Sequence, residues 1–252
     1  MLFIDINCDM GESYGAFRVG NDEAIMPFIT SASIACGFHG GDPVHIEKTI
    51  RMALERGVRI GAHPSYPDLQ GFGRRPMNLS AGDLRAFLRY QIAALKGMTE
   101  SLGGQLAYVK PHGALYNAAA TDPQTARVVA ETVRDMGGGL SLMGLAGSVV
   151  AGVAAETDVP FIGEAFADRR YEASGQLRSR ALPDAVISEP EQAAGQVLSC
   201  VQKHKVVSYA GTEISVNAQS MCIHGDNPAA VEILKSIDRA LALHGIQKKA
   251  MA

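Results

Sequence analysis

Three observations predict an α/β fold in which parallel strands and helices alternate around a single barrel. The chain has 252 residues, close to the roughly 250 residues of a one-domain β/α barrel. Short apolar segments alternate with amphipathic helical segments, as they do in parallel β/α units. Hydrophobic residues make up 47% of the chain and charged residues 19%, which supplies a core and excludes a disordered chain. We therefore expect one domain over residues 1–252.

Seven short apolar runs are the predicted strands, and a helical segment separates most neighbours. They are Leu2–Ile6, Ser33–Cys36, Val58–Ala62, Leu106–Val109, Leu140–Gly144, Phe161–Glu164 and Ala185–Ile187. The segment from Lys205 to Ile223 has β-branched runs broken by Gly211. This segment predicts a hairpin or extra strands.

Four helix starts carry recognisable capping chemistry. Asp42-Pro43, Asp122-Pro123 and Asn227-Pro228 each place a capping side chain before a proline, which suits the first helical position. Ser80 and Asp83 form a predicted capping box that opens a helix to about residue 102. The apolar side chains of that helix share one face and predict core positions: Leu84, Phe87, Leu88, Ile92 and Leu95.

Composition and termini exclude several functional classes. The net charge is −3, with no basic run and no tryptophan, which argues against nucleic-acid binding. The first five residues contain no basic segment, so we expect no signal peptide and a cytoplasmic protein. The uncharged stretch from Met136 to Ala155 is rich in glycine, and it predicts a buried strand and a small-residue helix rather than a membrane span. The four cysteines lack Cys-x-x-Cys spacing, so neither a disulfide framework nor a zinc knuckle is expected.

Polar clusters follow the predicted strands at their carboxyl ends, the face on which barrel enzymes collect catalytic groups. Four of the seven histidines lie in these clusters, and their convergence predicts a shared site: His39, His63, His112 and His224. A single such histidine is more often structural, and His45, His204 and His244 are expected at the surface.

Other residues in these clusters have two interpretations. Asp9 and Glu12 form a loop carboxylate pair outside any helical pattern. Lys110, beside Pro111, is either a point charge for a phosphate or oxyanion, or a member of an ordinary ion pair. Asp42 and Asn227 are explained as helix caps. Asp9, His39 and His63 offer metal-ligand groups, but their spacing is not diagnostic, so no metal ligand is assigned.

Two glycine-rich loops are candidates for binding anions. Residues 37–43 lead into a helix N-terminus that could hold an anion. Residues 69–76 carry Arg74 and Arg75 and are either a mobile lid or a rigid turn with solvated arginines. The chain contains no phosphate loop of the Gly-x-x-x-x-Gly-Lys type.

Taken together, the motifs resemble the LamB/YcsF (lactam utilisation) family, whose members are also described as the A subunits of bacterial 5-oxoprolinases. The resemblance covers nearly the whole chain and rests on residues 6–12, 35–43, 61–68, 71–74, 109–116, 164–169 and 224–227. Two departures are Gly40, where alanine is expected, and the loop at 179–184. We expect neither departure to touch a catalytic group.

The resemblance implies a TIM-like, irregular seven-stranded β/α barrel related to the glycoside hydrolase/deacetylase superfamily. It also implies ATP-dependent opening of 5-oxo-L-proline (pyroglutamate) to L-glutamate, with ADP and phosphate as the other products and Mg²⁺ accompanying ATP. Family members work with KipI-like and KipA-like partners, the B and C subunits of 5-oxoprolinase. No nucleic-acid or membrane partner is expected.

The reaction implied by the resemblance suggests hypothetical roles for the polar residues at the strand ends. Lys110 and Arg169 would stabilise phosphoryl charge, Asp9 or Asp168 would hold Mg²⁺, and His63 or His112 would deprotonate water. His39 and His224 complete the expected catalytic set. The expected substrate- or phosphate-binding set, besides Arg169, is Asn7, Glu12, Arg74, Tyr116 and Glu164.

Two other functions remain open. A stand-alone, metal-dependent, deacetylase-like hydrolase of amides or sugars would bind a divalent ion and need neither ATP nor partners. A non-catalytic, lactam-binding module would have its strand-end histidines buried and fully hydrogen-bonded.

Overall fold

A closed barrel of seven parallel strands forms the centre of the protein, in a computed structural model that describes residues 2–251. The first strand pairs with both the second and the last, which closes the cylinder. In barrel order the strands are β1 (Phe3–Met10), β2 (Ser31–Ala35), β3 (Arg59–His63), β4 (Leu106–Val109), β5 (Ser141–Leu145), β6 (Phe161–Phe166) and β9 (Ser220–Ile223). The predicted β/α barrel is confirmed.

Three short strands lie outside the barrel. β7 (Lys205–Val207) and β8 (Glu213–Ser215) form an antiparallel hairpin around Gly211, as the β-branched runs predict. β10 (Gln247–Lys248) pairs with the start of β1 near the chain's end.

Helices connect most of the barrel strands. Their bounds are α1 (Asp22–Ile25), α2 (Pro43–Glu55), α3 (Ala81–Ser101), α4 (Gly113–Thr121), α5 (Pro123–Asp135), α6 (Val149–Glu156), α7 (Pro190–Lys203) and α8 (Ala230–Leu243), with a 3₁₀ turn at Met26–Phe28. Among the helices that the structure describes, none is long and apolar enough to cross a membrane. The uncharged stretch at 136–155 instead contains β5 and most of α6, as expected.

The predicted helix starts are confirmed at three positions and wrong at the fourth. The side chains of Asp42, Asp122 and Ser80 accept hydrogen bonds from the first-turn amides of α2, α5 and α3. Asn227 does not cap α8, which begins at Ala230. Its amide instead donates to Asp168 and to the carbonyl of Ile187.

The seventh barrel strand lies later in the chain than the sequence predicts. Residues 185–187 are largely buried, but they form only an isolated antiparallel bridge, between Val186 and Arg169. β9 takes the seventh place because it pairs in parallel with both β6 and β1. The apolar run at 185–187 therefore packs within the long loop between β6 and α7.

Every second residue of the barrel strands points into the barrel, and several of these side chains are polar. On β1, Asp5 binds Ser31 of β2 and Ser220 of β9. Higher in the barrel, the Tyr108 hydroxyl of β4 lies 3.1 Å from the Ser33 hydroxyl of β2. Contacts between strands that are not neighbours require an inward direction, because only the interior joins them. The site is built on these inward positions at the carboxyl ends of the strands.

Candidate active site

A cavity of about 720 Å³ opens at the carboxyl ends of the barrel strands. Its walls include inward-facing residues that continue β1, β3, β4, β6 and β9: Asp9, His63, Lys110 with His112, Glu164 with Phe166, and His224. The predicted convergence of polar strand ends on one face is therefore observed. Polar groups of opposite charge meet there in a concave site of the kind that binds small molecules.

Lys110 is the buried centre of the charge network. Its ammonium nitrogen lies 2.5 Å from Asp9 Oδ1 and 3.0 Å from Glu164 Oε1, and it donates to Asn7 Oδ1 at 2.9 Å. Burial opposes the charge, but Asp9 and Glu164 outweigh it and raise the pKa of Lys110 well above its usual value. Lys110 is therefore a member of an ion-pair network that is buried and faces the cavity.

Asp9 is held between two basic groups. Besides Lys110, its Oδ2 lies 3.2 Å from His63 Nε2. Burial alone would raise the pKa of Asp9, but His63 and Lys110 outweigh it and hold that pKa well below its usual range. Asp9 is therefore an ionised carboxylate at neutral pH.

Glu164 and Tyr116 leave polar atoms unused at the cavity wall. Asn7 donates to Glu164 Oε1 at 2.9 Å, while Glu164 Oε2 and the Tyr116 hydroxyl have no hydrogen-bond partner among residues 2–251. Burial, with Glu164 nearby, raises the pKa of the Tyr116 phenol well above its usual value. Buried polar atoms of this kind are satisfied by a ligand or by water. Both atoms belong to residues that line the cavity and lie close enough to affect each other, and a bound molecule can satisfy them there.

Three buried imidazoles and one carboxyl group form a cluster beside Asp9, referred to below as the histidine cluster (Glu12, His39, His63 and His112). His63 Nε2 lies 2.9 Å from His112 Nδ1, and His39 Nε2 lies 3.0 Å from Glu12 Oε1. The rings of His39 and His112 stack with centroids 3.7 Å apart. The four side chains are 4% exposed or less.

Burial sets the protonation of this cluster. It lowers the pKa of His39 and of His112 well below the usual value, with a like-charge contribution from a neighbouring imidazole in each case. It raises the pKa of Glu12 well above the usual value, helped by Asp9. As described, His39 and His112 are neutral at physiological pH.

The loop with Gly71, Gly73 and Arg74 closes over the histidine cluster. The backbone of Gly73 has φ +64°, and a Cβ there would lie 2.8 Å from both His39 and His112. The carbonyl of Phe72 accepts from His112 Nε2 at 2.8 Å. In this loop Arg75 pairs with Asp68, and Arg74 pairs with Asp226.

The remaining strand-end histidine, His224, is oriented by a buried carboxylate. Its Nδ1 lies 2.9 Å from Asp168 Oδ1, and Asp168 Oδ2 accepts from the His224 backbone amide and from Asn227. Burial alone would raise the pKa of Asp168, but His224 outweighs it and the pKa is lowered. The carboxylate therefore accepts a hydrogen bond from Nδ1 and leaves Nε2 as the basic nitrogen, on a ring that lines the cavity.

Arginines form part of the cavity wall. The Arg169 side chain donates to the carbonyl of Arg178 at 2.6 Å, while its Nε has no partner among the described residues. Burial, together with Arg180, lowers the pKa of Arg169 to about 10. Arg74 and Arg180 both face Asp226, at 2.5 and 3.6 Å. This wall attracts anions.

The expected site residues divide into a cavity wall and a layer behind it. Those on the wall are Asp9, His63, Arg74, Lys110, His112, Tyr116, Glu164, Arg169 and His224. Asn7, Glu12, His39 and Asp168 do not line the cavity, and each instead contacts a residue that does.

Two expectations about loops are wrong. The N-terminus of α2 does not offer amides to an anion, because Asp42 already accepts from Val44 and His45. The loop at 179–184 does reach the site, since Arg180 lines the cavity.

Sequence reasoning also missed Arg178, Cys222 and Asp226. Arg178 lines the cavity beside Arg180, and Cys222 Sγ lies 3.4 Å from the Lys110 ammonium. The alternation of side chains along a strand could have identified Cys222. This residue lies two positions before His224 and therefore on the same inward face of β9.

Fold and site together define a class: a seven-stranded β/α barrel with an enzyme-like charged cavity at the carboxyl ends of its strands. A profile of the LamB/YcsF family matches residues 4–252. The A subunit of the 5-oxoprolinase of Bordetella parapertussis is 49% identical over 243 residues, which cover 96% of each chain. The chain belongs to the LamB/YcsF family.

Solved structures agree with this assignment. The lactam utilization protein from Thermus thermophilus superposes with a TM-score of 0.93 at 43% identity, covering 99% of this chain and 100% of that one. A family 4 carbohydrate esterase from Streptomyces lividans has a TM-score of 0.52 at 11% identity, covering 100% of this chain and 93% of that one. The second likeness is one of fold alone.

Proposed function

We propose that this chain is the A subunit of a 5-oxoprolinase, which opens the lactam of 5-oxo-L-proline to L-glutamate while ATP is hydrolysed to ADP and phosphate. Relatives named as the A subunits of 5-oxoprolinases match nearly the whole chain. Because ATP is the co-substrate, the proposal includes the cytoplasmic location expected from the sequence.

The observation that carries the proposal is that one cavity combines a buried arginine, which has no hydrogen-bonded carboxylate among residues 2–251, with polar side chains that can bind an amide group. Arg169 is buried, and no carboxylate among residues 2–251 forms a hydrogen bond with its guanidinium. A buried charge without a counterion is costly, so this wall fits an anionic ligand. Tyr116 and Glu164, which line the same cavity, offer polar atoms to an amide group. A small, anionic cyclic amide that becomes phosphorylated meets both requirements.

The proposed reaction begins with activation of the lactam. The γ-phosphoryl group of ATP passes to the lactam oxygen as its bond to ADP breaks, which makes the ring carbon electrophilic. Water then adds to that carbon, and the carbon–nitrogen bond breaks with a proton going to nitrogen. The resulting acyl phosphate releases phosphate to a further water. Such steps depend on positioning and charge stabilisation.

Within this chain, we assign the general base to His224. One ring nitrogen each of His63 and His112 donates to a backbone carbonyl, and the other two lie 2.9 Å apart inside the histidine cluster. Among the described residues, His224 has a partner for Nδ1 alone, which is Asp168, an arrangement that fixes the tautomer of a catalytic imidazole. Arg169 and Arg180 would stabilise phosphoryl charge, and Lys110 would stabilise negative charge that develops on the lactam oxygen.

We assign Mg²⁺ to the phosphates of ATP rather than to Asp9 or Asp168. Asp9 is engaged by Lys110 and His63, and Asp168 by His224 and Asn227. A hard cation such as Mg²⁺ prefers free carboxylates and water, and neither carboxylate fits that role.

KipI-like and KipA-like subunits are the proposed partners. The names of the relatives describe one subunit of a larger enzyme, and this chain has no phosphate-loop sequence. We therefore propose that activity requires the assembled subunits.

The test is glutamate release from 5-oxo-L-proline with ATP, by this chain alone and mixed with both partners. Glutamate is expected from the complete mixture only. Release by this chain alone without ATP would contradict the proposal and support the stand-alone hydrolase. No release by the folded components in either setting would also refute it.

The histidine cluster favours one alternative, the metal-dependent hydrolase, since imidazole is a common ligand of Zn²⁺ and related ions. The non-catalytic module has weaker support. His39 Nδ1 has no partner among the described residues, and His224 leaves Nε2 free on the cavity wall. Its requirement of fully hydrogen-bonded histidines is therefore not met.

A further inference from the structure

The hydrogen bonds of His63 and His112 leave two nitrogen lone pairs facing each other. His63 Nδ1 lies 2.7 Å from the carbonyl oxygen of Lys110, and His112 Nε2 lies 2.8 Å from that of Phe72. A carbonyl oxygen only accepts, so each of these nitrogens carries the hydrogen. In the neutral tautomers, His63 Nε2 and His112 Nδ1 are then both acceptors, although they lie 2.9 Å apart. Two acceptors at this distance repel unless a positive species lies between or beside them.

We propose that Glu12, His63 and His112 hold one divalent transition-metal cation of the Zn²⁺ or Co²⁺ kind, with His39 positioning Glu12. Nitrogen and carboxylate oxygen are the donors that such ions take. The cation would satisfy both lone pairs at once. The inference concerns binding and is independent of the proposed reaction.

The separations between donor atoms fit one small ion. With metal–ligand distances of about 2.1 Å, neighbouring donors lie about 3.0 Å apart around an octahedral ion and about 3.4 Å apart around a tetrahedral one. The observed separations are 2.9 Å between His63 Nε2 and His112 Nδ1, and 3.6 Å between His112 Nδ1 and Glu12 Oε1. Asp9 Oδ2, 3.2 Å from His63 Nε2, lies at a similar separation on the cavity side.

His39 is placed to orient a ligand rather than to be one. Its ring is stacked on His112, 3° from parallel, with 3.7 Å between centroids. A metal ion lies close to the plane of each imidazole that binds it, and one ion cannot lie in two parallel planes separated in this way. His39 Nε2 instead lies 3.0 Å from Glu12 Oε1. Such outer partners orient ligands, as do the two carbonyls that fix the tautomers of His63 and His112.

A proton could lie between the two histidines in place of a metal cation, but a proton satisfies fewer of the acceptor atoms. With an extra proton, His63 would be a buried imidazolium that donates from Nε2 to either His112 or Asp9. A single cation would serve both imidazoles and the carboxyl group of Glu12. All four groups of the histidine cluster have donor atoms within 4.8 Å of one another, which suits the cation better.

The experiment is a Co²⁺ titration of the full chain after chelator treatment, followed by visible absorption and by equilibrium dialysis. The proposal predicts saturation at one Co²⁺ per chain, with absorption bands typical of nitrogen and oxygen ligands, and competition by Zn²⁺. Absence of stoichiometric binding by the folded wild-type protein at micromolar Co²⁺ would overturn it and leave the shared proton as the explanation.

Variants locate the ion. H112Q should weaken Co²⁺ binding by more than about 100-fold, and H39Q by about 10–100-fold, as for loss of an orienting partner. H244Q, at the exposed end of α8, is the matched control and should bind as the wild type does. Equal Co²⁺ binding by folded H112Q and H244Q would overturn the assignment. If H112Q does not fold, the wild-type stoichiometry and an anomalous difference peak between His63 and His112 in Co²⁺-soaked crystals decide the question. A peak elsewhere would overturn the assignment.

Discussion

Lys110 illustrates how one buried residue supports both stability and the site. Its ammonium group joins Asp9, Glu164 and Asn7, which come from two strands across the barrel from β4. Removing one member of a buried charge network leaves the others uncompensated, and the cost exceeds the net contribution of the pair itself.

Lys110→Met is therefore expected to lower the free energy of unfolding by about 3–5 kcal/mol. Urea denaturation followed by circular dichroism measures the change. Lys96→Met is the matched control, because Lys96 pairs with Glu100 on the surface of α3, and it should change stability by less than about 1 kcal/mol. Equal free energies of unfolding for the two variants would show that the buried charge network stabilises the protein no more than the surface ion pair does.

Asp168 is expected to act through His224. In Asp168→Asn, the carboxylate that fixes the Nδ1 proton is lost, and the imidazole can adopt the wrong tautomer. The kcat for glutamate release by the assembled subunits should fall by about 10²–10⁴-fold, as for other oriented histidines, while KM changes little. Asp135→Asn, on the exposed end of α5, is the control. A purely structural role would instead lower kcat and thermal stability together, leaving the pH profile of the residual activity unchanged.

At the scale of elements, the N-terminus of α2 depends on Asp42. Its carboxylate accepts from Val44 and His45 in the first turn and from Gly15 across the loop, at 2.7 Å. The Gly15 amide, with help from the other donors, holds the pKa of Asp42 well below its usual value. The ionised carboxylate of Asp42 therefore stabilises the folded protein fully at pH values above the ordinary pKa of aspartate. This stabilisation is lost as the pH falls through the lowered pKa of Asp42 in the folded protein.

Asp42→Ala should cost about 1 kcal/mol at pH 7, the usual effect of a lost cap. Asp42→Asn retains a capping oxygen but loses the charge, so its stability should lie between those of the wild type and the alanine variant. Urea midpoints from pH 7 to pH 2 provide the measurement. The difference in urea midpoint between the wild type and Asp42→Asn should become smaller below about pH 4. A difference that widens with acidity would contradict the assignment.

Most elements of the fold follow from local signals in the sequence. Strands β1 to β6 contain runs that are apolar on their outer face, and Asp42, Asp122 and Ser80 mark helix starts by capping. β9 could not be found in this way, because its four residues form a weaker apolar run than residues 185–187. Its place depends on pairing with β1 and β6, which is a long-range property.

The sequence predicts the location of the site but not the hydrogen bonds and ion pairs within it. Polar residues at strand ends predict the face on which they meet, and the family resemblance adds identities. No local signal places Arg180 in the same cavity as Lys110, because the loop between β6 and α7 is irregular. Nor does the sequence reveal that His63 and His112 direct their second ring nitrogens at each other, whereas His224 Nε2 makes no hydrogen bond within residues 2–251. That difference depends on the carbonyls of Lys110 and Phe72.

At the scale of the whole molecule, closure of the barrel requires that its interior be filled. Gly61 of β3 faces Tyr108 of β4, and a Cβ at Gly61 would lie 2.2 Å from the tyrosine ring. The tyrosine is fully buried, and it packs with Met143 and Ile162. The absence of a side chain at residue 61 leaves room for this ring.

Gly61→Ala should therefore destabilise the protein by about 1–3 kcal/mol, the usual cost of overpacking a core. Gly97→Ala is the matched control. Gly97 lies on the exposed side of α3 with nothing within 4 Å of its added Cβ, so the change should stabilise by about 0.5–1 kcal/mol. Thermal unfolding of both variants shows whether each substitution lowers or raises the stability. A neutral Gly61→Ala would mean that the barrel interior accommodates the methyl group.

If the lactam ring opens in the cavity of this chain, the reaction depends on His224. The measurement is glutamate release from 5-oxo-L-proline and ATP in the mixture with KipI-like and KipA-like subunits, with His224→Gln in place of the wild-type chain. The rate should fall by at least about 100-fold, the range for loss of general-base catalysis, while the variant keeps the wild-type circular dichroism spectrum. His244→Gln should release glutamate at the wild-type rate. An unchanged rate with His224→Gln would mean that the ring opens outside this cavity.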